Sequence, residues 1–200
     1  MANKRITQLP IITNASSTDV IPIVSNGVTS QIEYSNLQSA GKFESVLYGQ
    51  SFGDQVPATN DTSLQIKFGG TVTTPELELN GTGTITIIEA GNYIFQVNYT
   101  LARQGSAGGA SAIAMHHTVN GNQVGATQLI KLNASAEIIP FQFEVKSYYQ
   151  IGDIIKFEII RDSVLSSGTG LTEGGLYGNS IQGSGWTANR SSTINILQLK

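Results

Sequence analysis

One stretch of the sequence decides the fold: Gly91-Asn-Tyr-Ile-Phe-Gln-Val-Asn-Tyr-Thr-Leu101. Large apolar residues stand at every second position of this stretch. Because side chains along a β-strand point alternately to its two faces, one face is large and apolar and the other is mostly polar. Such a strand packs its apolar face on a second sheet, a position that aromatic and β-branched residues favour. We predict that its core-facing residues are Tyr93, Phe95, Val97, Tyr99 and Leu101.

Similar short strands, separated by turns, follow one another along residues 44–200. Alternating or apolar runs occur at 64–68, 84–88, 112–119, 141–146, 154–160 and 193–199. Asn80-Gly81 and Asn120-Gly121 mark hairpin turns, because both residue types tolerate positive φ. The second pair is predicted to open a loop through residues 123–125, with the next strand at 128–132. About eight to ten strands without a convincing long helix predict an all-β jelly-roll β-sandwich.

Residues 1–41 are predicted to form a small separate module. The run at 20–24 contains Pro22, which suits an edge strand. Asn26-Gly27 then predicts a hairpin turn into the strand at 28–34, and the capping-box spacing at 35–38 predicts a short helix that ends at Gly41. The module is either an arm packed on the main domain or a docking tag that folds fully only against a partner.

The composition excludes several classes of function. Charged residues make up 12% of the 200-residue chain and the net charge is −3. The basic footprint of a nucleic-acid-binding protein is therefore missing. The chain contains no cysteine, so neither disulfides nor thiol chemistry are available. The basic start, residues 1–5, is not followed by a long apolar run, so we predict no signal peptide and no membrane insertion.

The two histidines are adjacent, which limits what they can do together. Neighbouring residues of a strand point to opposite faces, so His116 and His117 cannot chelate one metal ion from the same strand. His117 is predicted to lie at the edge of the core. His116 shares its face with Ala112 and Ala114, whose small side chains would let another chain approach. Two interpretations stay open for His116: a structural histidine, or a histidine ring on a three-fold axis.

No catalytic, cofactor-binding or metal-binding site is predicted. Asp54, Asn60 and Asp61 offer oxygen ligands without a calcium-loop spacing, and turn formation explains them equally well. Glu76 and Glu78 share a strand face, but a glycosidase pair also needs a cleft and a fixed separation. The sequence contains no nucleophile triad, phosphate-binding loop or dinucleotide fingerprint.

A long glycine-rich segment, residues 162–190, precedes the last strand. Loops of this length are usually functional or disordered, and the apolar and aromatic residues argue against plain disorder. One interpretation is that the segment packs on a neighbouring subunit or on its own sheet. The other is a distal surface for a host receptor or glycan, contacted through Tyr177, Trp186 and Arg190.

The main domain resembles the trimeric jelly-roll domains of the complement-type globular head and tumour-necrosis-factor superfamily. Residues 91–95, 119–124 and 145–157 carry this resemblance in order, and the terminal strand at 193–199 fits it. The long loop before that strand departs from the pattern. The resemblance implies a homotrimer. Apolar residues on both faces of the last strand also indicate a second contact surface, and the predicted trimer-axis residues are His116, Ile194, Ile196, Leu197 and Leu199.

Residues 1–41 are similar to the leader segments of bacteriophage virion proteins, which attach a distal domain to the particle. The similarity lies in residues 6–10, 19–24, 27–29 and 32–37. It implies that the anchor to other virion proteins comprises Leu9, Pro10, Asp19, Pro22, Ile23, Val24 and Gly27.

Together these features predict a non-enzymatic phage virion protein, assembled in the bacterial cytoplasm and located on the virion. It would be a homotrimeric head fibre, capsid decoration or short tail appendage that contacts the host surface. The alternatives are a stand-alone lectin-like carbohydrate-binding module and a small glycan hydrolase.

Overall fold

The computed structural model describes residues 20–25, 28–33, 42–103, 108–133, 137–168, 170–178 and 189–200. The chain divides into two compact units, Met1–Phe43 with Leu199–Lys200, and Glu44–Gln198. In the first unit, β1 (Val20–Ser25) pairs antiparallel with β2 (Val28–Glu33), and Pro22 lies opposite Gln31. This pairing confirms the predicted hairpin. Its turn, the predicted helix at 35–38, and the anchor residues Leu9, Pro10, Asp19 and Gly27 lie outside the described residues.

The regular secondary structure in the rest of the described chain is almost entirely strand. Its elements in order are β3 (Phe43–Ser51), β4 (Leu64–Gln65), β5 (Val72–Thr73), β6 (Leu77–Leu79), β7 (Ile85–Ile87), β8 (Gly91–Arg103), β9 (Ser111–Val119), β10 (Asn122–Leu132), β11 (Ile138–Tyr149), β12 (Ile154–Asp162), α1 (Gly170–Glu173), β13 (Gly174–Leu176) and β14 (Ser192–Leu199). Among the described residues, no helix has the length and apolar character needed to cross a membrane.

Two antiparallel sheets form a jelly-roll sandwich, which confirms the predicted fold class. One sheet has the strand order β10-β9-β12-β7-β6-β5, and β4 also pairs with β12. The other has the order β11-β8-β14-β3, and β13 also pairs with β8. The strand predicted to decide the fold is β8, which lies between β11 and β14. In this register Phe95 lies opposite Val145 on one side and Ile196 on the other.

The alternation of β8 produces the core. The five predicted core-facing side chains are each at most 3% exposed, whereas Asn98 on the opposite face is exposed. Phe95 contacts the ring of Tyr149 edge-on at 5.3 Å between centroids, and it also contacts Phe157 of the other sheet at 6.1 Å. Edge-to-face ring pairs add stabilisation beyond the burial of their area. The prediction of the core face is therefore confirmed.

Two predicted loops are partly strand. The Asn120-Gly121 turn has positive φ at both residues, 52° and 81°, and joins β9 directly to β10. Residues 123–125, predicted as loop, belong to β10. Within the segment predicted as one long loop, residues 162–190, the structure forms α1 and β13. The latter pairs with the end of β8, placing Leu176 opposite Leu101.

Candidate interaction surfaces

One edge of the sandwich, called the open edge below, is formed by β10 in one sheet and β11 in the other. These are the outermost strands on that side, and β5 and β3 are the outermost strands at the other end of each sheet. Nearly all of β10 is exposed, including Leu129 at 49%, and Ile138 of β11 is 52% exposed. Five apolar residues of these two strands are only partly buried: Ile130, Ile139, Phe141, Phe143 and Val145. Half-buried apolar residues beside unpaired strand edges are typical of a contact surface.

A cavity of about 330 Å³ lies where the two edge strands approach each other. Its walls come from residues 124–126 and 128 of β10, residues 143–146 of β11, and His117 of β9. The cavity exists because β10 bulges there. From Val124 to Gln128 β10 advances four residues, while its partner β9 advances two, from His117 to Met115. Bulges of this kind bend an edge strand and re-aim neighbouring side chains.

His117 lies under this bulge, 4% exposed, which is deeper than the predicted edge of the core. Its ring contacts Phe143 and Phe157 at centroid distances of 6.0 and 5.9 Å. Among the residues that the structure describes, neither ring nitrogen has a hydrogen-bond partner. Burial lowers the pKa of His117 below its ordinary value, and the adjacent His116 lowers it further. The neutral imidazole is therefore the form that this site favours.

His116 points to the opposite face of β9, and its Nε2 lies 3.2 Å from Oε2 of Glu158 on β12. Its neighbours on that face, Ala112 and Ala114, are 0% and 7% exposed within the single chain. The expectation that these alanines leave room for another chain is wrong, because the chain's own residues already cover them. The histidine ring on a three-fold axis stays a prediction.

The last strand, β14, alternates strictly between a buried and a half-exposed face. Ile194 and Ile196 are completely buried and belong to the core, which corrects their assignment to a subunit contact. Leu197 and Leu199 lie on the half-exposed face and remain candidates for that contact. The sequence places apolar residues on both faces of β14, but of the four only Leu197 and Leu199 lie on the face away from the core.

The outer face of this sheet carries a polar ladder across its four main strands. The Oγ of Ser45 donates to Asn195, the side-chain amide of Asn195 donates to Gln96, and that of Gln96 donates to Glu144. Glu144 also lies 3.3 Å from the Nζ of Lys146. The bond from Gln96, followed by that with Lys146, holds the pKa of Glu144 below its ordinary value. Glu144 is thus a carboxylate at neutral pH, on the outer face of the sheet.

Of the three predicted receptor-contacting residues, the structure describes Tyr177 and Arg190. Tyr177 is 6% exposed, and its hydroxyl donates to the carbonyl of Glu173 at 2.7 Å, so its ring is not available for stacking. Burial, with Asp54 nearby, raises its pKa. Arg190 is exposed, and its guanidinium lies 5.8 Å from the ring centroid of Phe52. Trp186 lies outside the described residues.

Two arginines that sequence reasoning missed hold this end of the sandwich. Arg161, 2% exposed, donates to the side chain of Asn60 at 2.6 Å, to the carbonyl of Gly174 at 3.1 Å and to that of Pro57 at 3.0 Å. Arg103, 1% exposed, lies 2.8 Å from Glu173. Its other nitrogens donate to the carbonyls of Gly108 and Gly109.

A signal for both arginines was present in the sequence. Arg103 continues the alternation of the core-facing residues of β8, and Arg161 continues that of Ile155, Phe157 and Ile159 on β12. A charged residue that falls on the apolar face at a strand end predicts a buried charge with loop carbonyls as partners.

The loop residues weighed as calcium ligands accept hydrogen bonds from other groups of the chain. The carboxylate of Asp54 accepts from the N–H of Gly178, Asn60 accepts from Arg161, and Asp61 accepts from the N–H of Ser163. In the part of the chain that the structure describes, no group of three or more acidic or histidine residues is placed to hold a metal ion. Glu76 and Glu78 flank the buried Leu77 on the outer side of β6.

Comparison with known proteins gives little beyond these observations. No protein-family model and no curated protein matches the chain. The chain is similar to solved structures of murine APRIL. At pH 5.0 the identity is 14% and the TM-score 0.46, and at pH 8.0 they are 14% and 0.43. Each match covers 79% of this chain and all of the other. Likenesses of this strength assign neither a function nor an assembly.

Proposed function

We propose that this chain is a non-enzymatic structural protein of a bacteriophage virion and that it acts as a homotrimer. It serves as a head fibre, capsid decoration or short tail appendage, and its module at residues 1–41 attaches it to other virion proteins. The single observation that supports this proposal best is the open edge of the sandwich, where β10 and β11 leave apolar side chains half-exposed.

The open edge favours a partner because of both its backbone and its side chains. A long unpaired strand leaves a row of N–H and C=O groups free, and soluble proteins usually cover or interrupt such edges. Here β10 and β11 are 11 and 12 residues long. Exposed Leu129 and Ile138 add an apolar patch that a second copy of the chain would remove from water. A closed ring of identical subunits would bury the same edge in each of its three copies.

The attachment role of residues 1–41 rests on their similarity to phage leader segments and on the pairing of β1 with β2. A two-stranded hairpin contributes little core of its own and is marginally stable alone. Among the described residues no third strand pairs with β1 or β2, and an exposed strand edge suits pairing with another protein, which is how many docking segments bind. Pro22, Ile23 and Val24 lie in β1, in the middle of the predicted anchor.

A charge placed on the open edge tests the assembly. Leu129→Glu puts a carboxylate on β10, where a subunit contact would have to desolvate it, so the variant should dissociate into monomers. Val164→Glu is the matched control, because Val164 is 87% exposed in a turn after β12. Light scattering at micromolar concentration should give a trimer for the wild type and the control and a monomer for Leu129→Glu. A wild type that is monomeric would contradict the proposal.

The location of the protein tests the virion role directly. Labelled antibody viewed by electron microscopy on purified particles should decorate the head or the tail at a fixed position. Binding to a glycan array by a protein that never associates with particles would favour the lectin-like alternative instead.

A further inference from the structure

The bulge of β10 lies over the imidazole of His117. The Cε1 corner of His117, between the two ring nitrogens, faces Gly125, since a methyl group added at Gly125 would lie 3.9 Å from that atom. Gly125 has a φ of 75°, in the left-handed region that favours glycine. Gly125 of the bulge therefore lies beside the polar edge of the ring, and among the described residues neither nitrogen, each without exposed surface, has a partner.

This arrangement is tolerable for a neutral imidazole and costly for a charged one. A neutral ring gives up the hydrogen bonds of one donor and one acceptor. An imidazolium presents two N–H donors and a charge between the rings of Phe143 and Phe157, and among the described residues no acceptor bonds either nitrogen. Protonation therefore works against the closed position of the bulge.

The charged residues that line the cavity or neighbour the ring lie on the outer faces of the two sheets. On β9 and β12, His116 and Glu158 contact each other on the far face of the sheet. The cavity-lining residues of β10 are all uncharged. On β11, Glu144 and Lys146 line the cavity, but the carboxylate of Glu144 belongs to the polar ladder, where it contacts Gln96 and Lys146. The cavity is roomy enough to admit several water molecules, each of which occupies about 30 Å³ in the liquid. An imidazolium would therefore gain hydration, rather than an ion pair, when the bulge lifts.

We propose that residues 124–128 of β10 form a proton-operated flap, closed over neutral His117 and lifted when that imidazole takes up a proton. Lifting the flap exposes the half-buried Phe143 and Val145 of β11 and lengthens the open edge of the sandwich. Acidification thus changes the surface that this edge presents. The flap is a property of the single chain and does not require the assembly proposed above.

The size of the effect follows from linkage. In the open state the imidazole titrates near its ordinary pKa of about 6.5, and in the closed state it titrates lower. As the pH falls from 7.5 to 5.0, the opening equilibrium rises by at most (1 + 10^1.5)/(1 + 10^−1), about 30-fold. Below the closed-state pKa the equilibrium no longer changes.

Hydrogen–deuterium exchange of the full-length protein tests the flap. After correction for intrinsic exchange rates, amides at 124–128 should exchange about 10–30-fold faster at pH 5.0 than at pH 7.5. Amides of β6 and β7, on the far side of the same sheet, should not change, which separates flap opening from global unfolding. His117→Phe should remove the pH dependence, and His116→Gln, the adjacent matched control, should keep it.

A second measurement does not depend on any variant folding. In NMR spectra of the wild-type protein, the amide shifts of residues 124–128 should titrate with the same midpoint as the His117 ring. Flap amides that do not respond to pH, that respond with a different midpoint, or that respond unchanged in His117→Phe would each overturn the proposal.

Discussion

Replacing Arg161 by Met should destabilise the domain by about 2–4 kcal/mol. The guanidinium is the partner of two buried carbonyl oxygens, those of Pro57 and Gly174, and of the side chain of Asn60. Leaving each buried carbonyl unpaired costs about 1–3 kcal/mol, or about 2–6 kcal/mol together. Asn60 is half-exposed and regains water.

Part of that loss is offset. Burial lowers the pKa of Arg161, which shows that the site disfavours the charge it holds. Removing the guanidinium returns some of this desolvation cost, and the methionine fills most of the same apolar space. The net expectation therefore lies below the sum of the lost bonds.

The assay is urea unfolding of the wild type, Arg161→Met and two comparison variants. Arg161→Lys keeps the charge, but its single nitrogen cannot reach three acceptors that are now bonded by three different guanidinium nitrogens, so it should lose nearly as much as methionine. Lys156→Met alters a half-exposed residue of the same strand and should stay within about 0.5 kcal/mol. Hydrogen exchange should speed up at β13 and at residues 57–60 in both Arg161 variants.

The stability of Arg161→Met would refute this reasoning if it fell within 1 kcal/mol of the wild type. That result would mean that the desolvation cost of the guanidinium cancels its hydrogen bonds. In that case Arg161 positions the loops of this end without stabilising the fold.

Two further predictions concern the core and the N-terminal module. Phe95→Ala should cost about 3–5 kcal/mol, the usual range for a buried ring, whereas Asn98→Ala on the exposed face should cost far less; denaturant unfolding that ranked them in reverse would contradict the assigned faces. A chain that starts at Phe43 should keep its far-ultraviolet spectrum and its oligomeric state but fail to join particles in a reconstitution assay. Normal particle binding by that truncated protein would place the attachment surface in the jelly roll.

The sandwich was predictable because its signals are local. The period of two along β8 identifies both faces of one strand, and the Asn120-Gly121 turn identifies where the next strand begins. These signals depend on neighbouring residues alone, so they can be recognised without knowing how the rest of the chain packs. Pro22, which predicted an edge strand in the hairpin of the first unit, is a local signal of the same kind.

The surfaces were less predictable because they depend on what lies opposite each residue. Ile194 and Leu197 look alike in the sequence, yet the first faces the core and the second faces outward. Tyr177 has the composition of a recognition residue, but β13 pairs with β8 next to it and buries its ring. Residues 123–125 were predicted as a loop because they include a polar residue and a glycine. A β-bulge that keeps its strand paired on both sides can have the same composition, so the sequence did not distinguish the two.

Among the described residues, the two buried arginines at one end of the domain have hydrogen-bond partners, and the buried histidine at the open edge has none. We therefore expect the two regions to differ in their resistance to local opening. At the end held by Arg103 and Arg161, the guanidinium nitrogens donate to backbone carbonyls and acceptor side chains, which fix the adjoining segments in place. At the open edge, buried His117 has no hydrogen-bond partner among the described residues, and the strand above it is the outermost of its sheet. A satisfied buried charge resists local opening, whereas an unsatisfied imidazole under an edge strand lowers the free energy needed to open it. We therefore expect local opening at the open edge rather than in the segment at residues 162–190.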